Sequence, residues 1–383
     1  VADLGLLKMD FLGLRYLTVI HDAELDVRKR VPDFNIERIP QDDVPTYEML
    51  SRGESDGVFQ LESGGMKALL KRLKPESLED ITAAISLFRP GPMDSIPKFI
   101  ENKRNPEKIK YDDPRLRGIL EVTNGCIVYQ EQVMQIFRVL AGYSYGRADV
   151  VRRMMSKKKV AEMAKEREFF LYGKKNDDGT TECEGAIARG VPKETAEKIY
   201  DEMADFAKYA FNKSHACAYA VVAYRTAYLK CRYPAEYMAA LLTSVTDSDG
   251  KIFKYTADCA SMGIKILPPD VNKSGVHFAA DNGSIRYGLL AIKNVGRTLV
   301  EKIIEERERN GAFSDFEDFL TRMYDSQLHK NALEFLIKSG ALDCLGRRRD
   351  ELLSVCDSAL ELLAKRKSTM MSGQMDMFSA AGA

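Results

Sequence analysis

The sequence predicts a mainly α-helical protein that also contains small β elements. Two observations predict this fold class. Over residues 46–245 the apolar side chains recur mostly with the helical period, and glycine and proline turns interrupt the pattern. Beyond Gly250, short apolar runs flank Asp281-Asn282-Gly283, which is typical of a small β-hairpin. The 383 residues, 45% of them hydrophobic, are enough for two or three domains with their own cores.

The composition excludes several classes of protein. Lys+Arg and Asp+Glu both total 57, so any signal for a nucleic-acid partner must be local. The seven cysteines include no CxxC pair and the four histidines do not cluster with them, so neither a zinc site nor a disulfide framework is indicated. The sequence has no run of eighteen apolar residues and no signal-peptide pattern. We therefore expect a cytoplasmic protein with no membrane partner.

The first element predicted along the chain is a strand over residues 6–12, whose alternating polarity places Lys8 and Asp10 on one face. A helix over residues 15–29 and a proline-rich connection follow. A carboxylate on a strand fits one ligand of a two-metal phosphoryl-transfer site, which needs several carboxylates. The alternative for Asp10 is a turn hydrogen bond, which the residues alone favour. Because the chain opens on Val1 and runs at once into apolar residues, we expect a piece of a longer protein.

The strongest concentration of charge lies in the helical block at residues 147–175, where ten basic side chains accompany four acidic ones. In a helix Arg153 and Lys157 are four residues apart, so their head groups lie on one patch. Such a patch suits a polyphosphate or a nucleic-acid backbone, because Arg offers a planar fork and Lys a point charge. A solvated surface is the alternative, and composition alone favours it. Residues 173–185 lack the apolar spacing of a buried element and predict an exposed loop.

A polar cluster at residues 211–215, Phe-Asn-Lys-Ser-His, precedes a helical run rich in Ala and Tyr. Asn, Lys, Ser and His together have the hydrogen-bonding groups to hold the sugar and phosphates of a nucleotide. The alternative is a packing histidine beside a buried helix, and the cluster on its own is a weak signal.

Two helix-turn-helix patterns follow, one around Val295-Gly296 and one around Ser339-Gly340. A glycine turn at a helix N-terminus exposes backbone N–H groups that can bind a DNA phosphate without reading bases. An ordinary helical hairpin is the alternative for each. From residue 366 onward small and polar residues predominate and predict a flexible tail. Its apolar cluster, residues 374–378, either docks into a partner's pocket or is a disordered Met-rich end.

Taken together, these segments resemble the family of bacterial DNA polymerase III alpha subunits, the family C replicative polymerases. The resemblance covers essentially the whole chain but only a middle portion of the family's longer polypeptide. It is carried by six motifs in family order: Leu7-Lys8-Met9-Asp10-Phe11-Leu12-Gly13-Leu14-Arg15, Gly57-Val58-Phe59-Gln60-Leu61-Glu62-Ser63, Phe88-Arg89-Pro90-Gly91-Pro92, Tyr129-Gln130-Glu131-Gln132-Val133-Met134, Arg152-Arg153-Met154-Met155-Ser156-Lys157-Lys158-Lys159 and Phe211-Asn212-Lys213-Ser214-His215.

The resemblance implies a polymerase active site that this chain shares with upstream parts of the family. Asp10 matches the last of three palm carboxylates that bind two Mg²⁺ ions, and Lys8 lies beside it near the nucleotide phosphates. The other two carboxylates belong to an acidic motif upstream. The residues implied in binding the deoxynucleoside triphosphate are Lys8, Arg152, Arg153, Lys157, Asn212, Lys213 and His215. For Arg152, Arg153 and Lys157 the resemblance implies contact with either the triphosphate or the template.

The resemblance also implies partners. The two hairpins look like the family's tandem helix-hairpin-helix module, which grips primer-template DNA by its backbone. The DNA-binding residues are then Lys293, Asn294, Gly296, Arg297, Thr298, Arg347 and Arg348. The tail is similar to the motif that holds the beta sliding clamp, with Gln374, Met377 and Phe378 as contacts. Other subunits of the polymerase III holoenzyme are further implied partners.

On this basis we expect four domains: residues 1–34 as the end of the palm (strand plus helix), 35–250 as the fingers, 251–350 as a small β-hairpin with the tandem helix-hairpin-helix module, and 351–383 as a helix and flexible tail with the clamp-binding-like motif. The expected function is part of a replicative DNA-directed DNA polymerase that adds deoxynucleotides to a primer 3′ end by two-metal phosphoryl transfer, inactive as this chain alone.

Two other functions compete with this one. The first is a noncatalytic DNA-binding and sliding-clamp-tethering module. The second is a repair glycosylase that carries a helix-hairpin-helix. The glycosylase is disfavoured because such an enzyme needs a catalytic Lys or Asp close after the hairpin and a pocket for a flipped base, whereas Arg297-Thr298-Leu299-Val300 follow Gly296 here.

Overall fold

The computed structural model of the chain describes residues 4–9, 11–156, 160–207, 211–324 and 328–371. The chain divides into two units, one formed by Val1–Glu37 with Arg232–Ala383 and the other by Arg38–Cys231. Helices dominate the described part of each unit, and the strands have two or three residues each. The predicted fold class, mainly α with small β elements, is therefore confirmed.

The elements of the described residues follow in chain order. The helices are α1 (Arg15–Arg28), α2 (Val44–Ser51), α3 (Gly64–Leu73), α4 (Leu78–Leu87), α5 (Ile96–Arg104), α6 (Arg117–Leu120), α7 (Gln130–Ala141), α8 (Tyr145–Ser156), α9 (Val160–Tyr172), α10 (Lys193–Ala207), α11 (Lys213–Arg232), α12 (Pro234–Thr243), α13 (Asp249–Ser261), α14 (Arg297–Asn310), α15 (Phe316–Met323), α16 (Lys330–Ser339) and α17 (Arg349–Met371). The strands are β1 (Lys174–Lys175), β2 (Thr181–Cys183), β3 (Ile266–Leu267), β4 (Ala279–Asp281) and β5 (Ser284–Arg286).

Short polar side chains start several helices of the Arg38–Cys231 unit. Asp43, Ser63 and Ser77 precede α2, α3 and α4, and each side chain accepts a hydrogen bond of 3.2–3.3 Å from a backbone N–H in the first turn. Each bond satisfies a donor that has no partner within its own helix, which is why these sequence positions begin helices.

The core that supports α8 lies between α7, α9 and α10. Phe137 of α7 is fully buried, with its ring centroid 5.2 Å from that of Phe170 on α9. Val151 and Met155 of α8 are four residues apart and both fully buried, because this spacing repeats one helix face. Arg153, between them in sequence, keeps 68% of its side chain exposed. Packing of the apolar face therefore turns Arg153 toward solvent.

The segment predicted as an exposed loop, residues 173–185, instead forms the antiparallel β1–β2 hairpin. Gly173 and Gly185 make it possible, because their φ angles are 87° and 89° and a Cβ on either would lie within 2.4 Å of backbone atoms. Lys174 and Glu182 form an ion pair of 2.5 Å across the hairpin. The loop prediction was wrong because pairing here depends on two glycines at close approach, and the apolar period does not report that.

The other unit is built on α1 and α12, which pack against each other. α1 covers almost the whole predicted helix of residues 15–29, so that prediction is confirmed. Val19, Ala23 and Val27 are buried because they recur every four residues on one face. Arg30, just beyond the helix, pairs with Glu236 of α12 at 2.8 Å.

The predicted strand over residues 6–12 is not found in the described residues of that segment, 6–9 and 11–12. Extended backbone becomes a strand only when a neighbour supplies ladder hydrogen bonds, and the described strands pair elsewhere. Leu7, Phe11 and Leu12 are 82%, 92% and 95% exposed. The polarity pattern was therefore not sufficient to predict a strand in this chain.

The predicted β-hairpin around residues 281–283 is confirmed. β4 and β5 pair antiparallel, and β3 pairs parallel with β5 on its other side. Asn282 and Gly283 both have positive φ, 51° and 79°, which two-residue hairpin turns require and which Asn-Gly adopts at low cost.

Helices α14 to α17 share a second core, which includes Leu299, Phe319, Leu336 and Leu352. Both predicted glycine turns lie at helix ends: Gly296 precedes α14, and Gly340 ends α16 in a left-handed conformation. α17 continues to Met371, so residues 366–371 are helical where the composition predicted a flexible tail. Within the described residues, the molecule has no helix that is long and apolar enough to cross a membrane.

Candidate functional site

The start of α7 lies beside the start of α11. A parallel bridge joins Tyr129 to Phe211, and the Gln130 N–H donates to the Phe211 carbonyl at 2.9 Å. The buried Gln132 side chain fixes the start of α7, because its Oε1 accepts the N–H groups of Val128 and Tyr129 at 2.8 and 3.0 Å. Residues 129–131 are thus held against the polar cluster that the sequence placed at 211–215.

Glu131 caps the N-terminus of α11. Its Oε1 accepts the Asn212 side-chain N–H at 2.7 Å, and its Oε2 accepts the Lys213 backbone N–H at 3.0 Å. The Asn212 Oδ1 in turn accepts the His215 N–H at 2.8 Å. A carboxylate is favoured here because the helix dipole places partial positive charge at this end. The turn that carries Asn212, Lys213 and His215 is therefore ordered by an acidic residue from α7.

The Lys213 ammonium reaches over this junction. It lies 5.3 Å from the centre of the buried Tyr129 ring and 3.3 Å from the Glu79 carboxylate. Burial is the main cause that raises the pKa of Tyr129 above its usual value, so its ring presents a neutral phenol beneath the ammonium.

Arg152 and Arg153 of α8 share one carboxylate. Asp149 Oδ1 accepts from Arg152 at 2.7 and 2.9 Å, and Asp149 Oδ2 lies 2.7 Å from Arg153. The hydrogen bond from Arg152 is the main cause that lowers the pKa of Asp149. Arg152 also donates to the Gln130 Oε1 at 2.7 Å. The basic face of α8 is thereby connected to the start of α7.

A buried network of charged side chains connects α8 to α9 and to the β1–β2 hairpin. Glu166 of α9 is 2% exposed, accepts from Tyr143 at 2.8 Å and forms an ion pair with Arg147 of α8. Burial is the main cause that raises the pKa of Glu166. Arg147 also lies 3.2 Å from Glu182 of β2, so one guanidinium ties α8 to α9 and to the β1–β2 hairpin.

Two of the predicted nucleotide-binding segments therefore contact neighbouring residues of α7. Gln130 contacts Arg152, and its neighbour Glu131 contacts Asn212 and Lys213. The Tyr129-Gln130-Glu131 motif carries part of the family resemblance, but no site residue was predicted in it. A polar dipeptide at a helix start was the available signal, but only the fold shows which groups it joins.

The remaining residues predicted to bind the nucleotide or the metal are not brought into this cluster by the described contacts. Lys8 lies exposed in the extended N-terminal segment, and Asp10 and Lys157 lie outside the described residues. Within the described ranges, no group of three or more His, Cys, Asp or Glu side chains could hold a metal ion. The described residues thus do not provide a Mg²⁺ site by themselves.

The first predicted DNA-binding turn opens onto a cavity of about 540 Å³. Asn294, Gly296 and Thr298, from the start of α14, line this cavity together with His329 and Asn331 from the start of α16. Asn294 adopts φ 62°, which turns the chain into α14. The N-terminal ends of two helices thus border one cavity, and both dipoles place partial positive charge there.

The other predicted DNA-binding residues lie on either side of this turn or farther along the chain. Lys293 and Arg297 are exposed beside it, and Arg297 lies 3.5 Å from Glu301 on the next turn of α14. Arg347 and Arg348 precede α17, where they pair with Glu317 at 3.9 Å and Asp350 at 2.8 Å. The three residues predicted to bind the clamp, Gln374, Met377 and Phe378, lie outside the described residues.

Each of the two units contains residues that match a known protein family. Residues 16–178 match the bacterial DNA polymerase III alpha subunit finger domain, and residues 263–352 match a helix-hairpin-helix motif. The chain is 44% identical over 380 residues to the DNA polymerase III subunit alpha of Borreliella burgdorferi, 46% over 385 residues to that of Thermus aquaticus and 45% over 387 residues to that of Escherichia coli K12. These alignments cover 98–99% of this chain and 30–32% of each relative.

In this order, the two matches place the chain in the class of proteins that carry a bacterial polymerase finger domain and a helix-hairpin-helix motif. The alignments extend from one region through the other without leaving a substantial part of the chain unmatched. The chain belongs to the bacterial DNA polymerase III alpha subunit family, and it spans about a third of the length of the curated relatives it matches.

Proposed function

We propose that this chain supplies the nucleotide-binding fingers and the duplex grip of a replicative DNA-directed DNA polymerase. The complete enzyme adds deoxynucleotides to a primer 3′ end during chromosomal replication by two-metal phosphoryl transfer. The observation that carries the proposal is the junction of α7, α8 and α11, where Arg152 contacts Gln130 while Asn212 and Lys213 contact the adjacent Glu131. The matched finger domain covers the α7 and α8 parts of this junction.

In this proposal Arg152, Arg153 and Lys157 bind the triphosphate. A phosphate offers the same planar pairing to a guanidinium as the Asp149 carboxylate does, with more charge and more acceptor oxygens. The two Arg side chains already lie on one patch because Asp149 holds both. When the triphosphate binds, it replaces the Asp149 carboxylate as the partner of the two guanidinium groups. The guanidinium groups therefore need little reorganisation to orient the nucleotide.

Asn212, Lys213 and His215 line the other side of the nucleotide site. Glu131 holds this turn through backbone and side-chain bonds, so the Lys213 ammonium and the His215 ring have a defined position. Lys8 completes the nucleotide-binding set. Most of the acceleration then comes from positioning and from the electrostatic field of these groups.

Two Mg²⁺ ions belong to the complete enzyme. We propose Asp10 as one of their ligands, with the other carboxylates supplied by a different part of the whole polymerase. With those carboxylates on a different part of the whole polymerase, this chain alone is expected to be inactive.

The helix-hairpin-helix region grips duplex DNA. In this proposal the backbone N–H groups at Gly296, with Lys293, Asn294, Arg297 and Thr298 around them, bind one stretch of phosphates, and their position at the start of α14 supports this. Arg347 and Arg348 add a second positive point before α17. Gln374, Met377 and Phe378 would dock into the beta sliding clamp, and other holoenzyme subunits would assemble with the complete protein.

Primer extension tests the catalytic part. The chain is assayed with Mg²⁺, deoxynucleotides and a primer-template, first alone and then with an upstream segment of a related alpha subunit supplied as a second polypeptide. We expect extension only in the second case. Extension by the chain alone would contradict the role given to Asp10 as one ligand of a split site.

The nucleotide site is tested by Arg153→Ala in a complete enzyme that contains this sequence. Loss of a charge-assisted contact to phosphate raises the nucleotide KM about tenfold or more and leaves the Kd for primer-template DNA almost unchanged. Arg117→Ala is the matched control, because Arg117 is 70% exposed and pairs with Glu121 one turn away, as Arg153 does with Asp149. Equal losses in nucleotide use and DNA binding would refute the assignment.

The helix-hairpin-helix match also favours a second function, a noncatalytic module that binds DNA and tethers the clamp. Failure of primer extension in both mixtures, with duplex and clamp binding intact, would support this function instead.

A further inference from the structure

A row of aromatic rings runs along one face of α11. Phe211 precedes the helix, and His215 and Tyr219 follow at intervals of four residues. The ring centroids of Phe211 and His215 lie 5.5 Å apart, and those of His215 and Tyr219 lie 4.3 Å apart. Phe59 continues the row, 5.1 Å from Tyr219. We call these four residues the aromatic row.

The row differs from a core packing stripe in its exposure. His215 is exposed and Phe211 and Tyr219 are half-buried, whereas Ala216, Ala220 and Ala223 of the same helix are fully buried. Phe59 is only 7% exposed, so it packs against Tyr219 and does not itself offer a stacking face. The alanines carry the packing of α11. The rings beside them keep faces that solvent can reach, although aromatic faces gain free energy when they are covered.

One cation and one residue with a strained backbone lie at the two ends of the row. At one end the Arg89 guanidinium, which is exposed, lies 4.7 Å over the Phe211 ring. At the other end Gln60, next to Phe59, is exposed and adopts φ 62°. A non-glycine residue in this region costs free energy and persists where the surroundings hold it, which is common at binding sites. The Phe59 N–H donates to Thr226 Oγ1 of α11 at 3.2 Å and holds the turn in place.

Half-exposed rings beside an Arg side chain are the chemistry that binds unpaired nucleobases, since every base has a face to stack and the adjoining phosphates need a cation. From Phe211 to Tyr219 the row follows the helix for eight residues, about 12 Å, which is longer than one base. The length favours a strand over a single free nucleotide.

We infer that the aromatic row is a stacking platform for successive unpaired bases of a single DNA strand. The inference rests on the proposed function, because His215 also borders the nucleotide site and the strand would run from there toward Tyr219 and Phe59. The phosphate-binding cations and the stacking rings make separable contributions, and this allows the two proposals to be tested apart.

The test compares two fluorescent oligomers of equal length at one fixed salt concentration, one of thymidine nucleotides and one abasic. Both carry the same phosphates, so their difference in Kd for the full chain reports stacking alone. We expect the thymidine oligomer to bind at least about fivefold more tightly. Tyr219→Leu should remove most of this difference, and Tyr219→Phe, which keeps the ring, should preserve it.

Tyr228→Leu is the matched control, because Tyr228 lies nine residues along α11 and therefore on the opposite side of the helix. Phe211→Leu provides a second variant at the other end of the row. The sequence contains no Trp, so Tyr219→Trp also gives a single fluorophore whose emission the thymidine oligomer should quench and the abasic oligomer should not.

An unchanged preference for the thymidine oligomer in both leucine variants would overturn the stacking platform and leave the proposed phosphate binding intact. If the leucine variants lose binding to a free deoxynucleoside triphosphate but bind the oligomers unchanged, a nucleotide and not a DNA strand occupies the row, and the inference is wrong. If neither oligomer binds the unmodified chain, this inference fails, and binding of duplex DNA, measured separately, decides whether the proposed grip fails with it.

Discussion

Replacement of Glu131 by alanine should destabilise the Arg38–Cys231 unit measurably. The carboxylate accepts one hydrogen bond from Asn212 at 2.7 Å and one from the Lys213 backbone at 3.0 Å. Net contributions of hydrogen bonds to charged groups are about 1.5–3 kcal/mol each, and the half-exposed position of Glu131 reduces them. We therefore expect a loss of about 2 kcal/mol in the free energy of unfolding. For a unit of this size that corresponds to a decrease in Tm of about 4–8 °C.

Glu79→Ala supplies the comparison. Glu79 belongs to the same cluster and has the same charge, but it is 54% exposed and meets only the Lys213 ammonium among the contacts described, at 3.3 Å. An exposed ion pair of this kind contributes about 0.5 kcal/mol or less. Scanning calorimetry of the full chain measures both variants. Equal shifts in Tm would refute the argument that Glu131 holds the α11 N-terminus, because removal of negative charge alone would then explain them.

Three further outcomes are expected. Gly185→Ala should destabilise the chain by more than about 2 kcal/mol in urea unfolding, since its φ is 89° and a Cβ would lie 2.3 Å from a backbone nitrogen; a neutral substitution would contradict the β1–β2 geometry. Hydrogen bonds from Arg115 lower the pKa of Asp113 below 3.8, so the Asp113 carboxylate stabilises the folded chain above that pH, and this stabilisation is lost as the pH falls through the folded pKa. Asp113→Asn should therefore flatten this part of an acid-unfolding curve. An unchanged curve would show that Asp113 does not contribute to the pH dependence of stability. Arg347→Ala should reduce the slope of log Kd for duplex DNA against log salt by about one, and an unaltered slope would remove Arg347 from the phosphate contacts.

The sequence predicted the fold class, α1, the Asn282-Gly283 hairpin and the glycine turns at Gly296 and Gly340, because each depends on residues close together in the chain. It failed where a partner far along the chain decides the structure. The strand over residues 6–12 lacks a pairing neighbour in the described structure, and the β1–β2 hairpin depends on close backbone approach of two glycines.

The candidate site shows the same limit. The family resemblance assigned Arg152 and Lys213 to one nucleotide site, but periodicity does not show which elements meet in space. Gln130 contacts Arg152 across 22 positions of sequence, Glu131 contacts Lys213 across 82, and Arg89 reaches the Phe211 ring from another helix connection. Such contacts follow from tertiary packing and not from spacing along the chain.

The exposed N-terminal segment has a consequence for how the chain behaves in solution. Leu7, Phe11 and Leu12 are 82%, 92% and 95% exposed, so three large apolar side chains that are close in sequence present most of their surface to water. Such a segment promotes self-association that grows with protein concentration. Binding constants measured at high concentration would then mix DNA affinity with clustering of chains. Dilute protein, checked by light scattering, gives affinities that belong to the single chain.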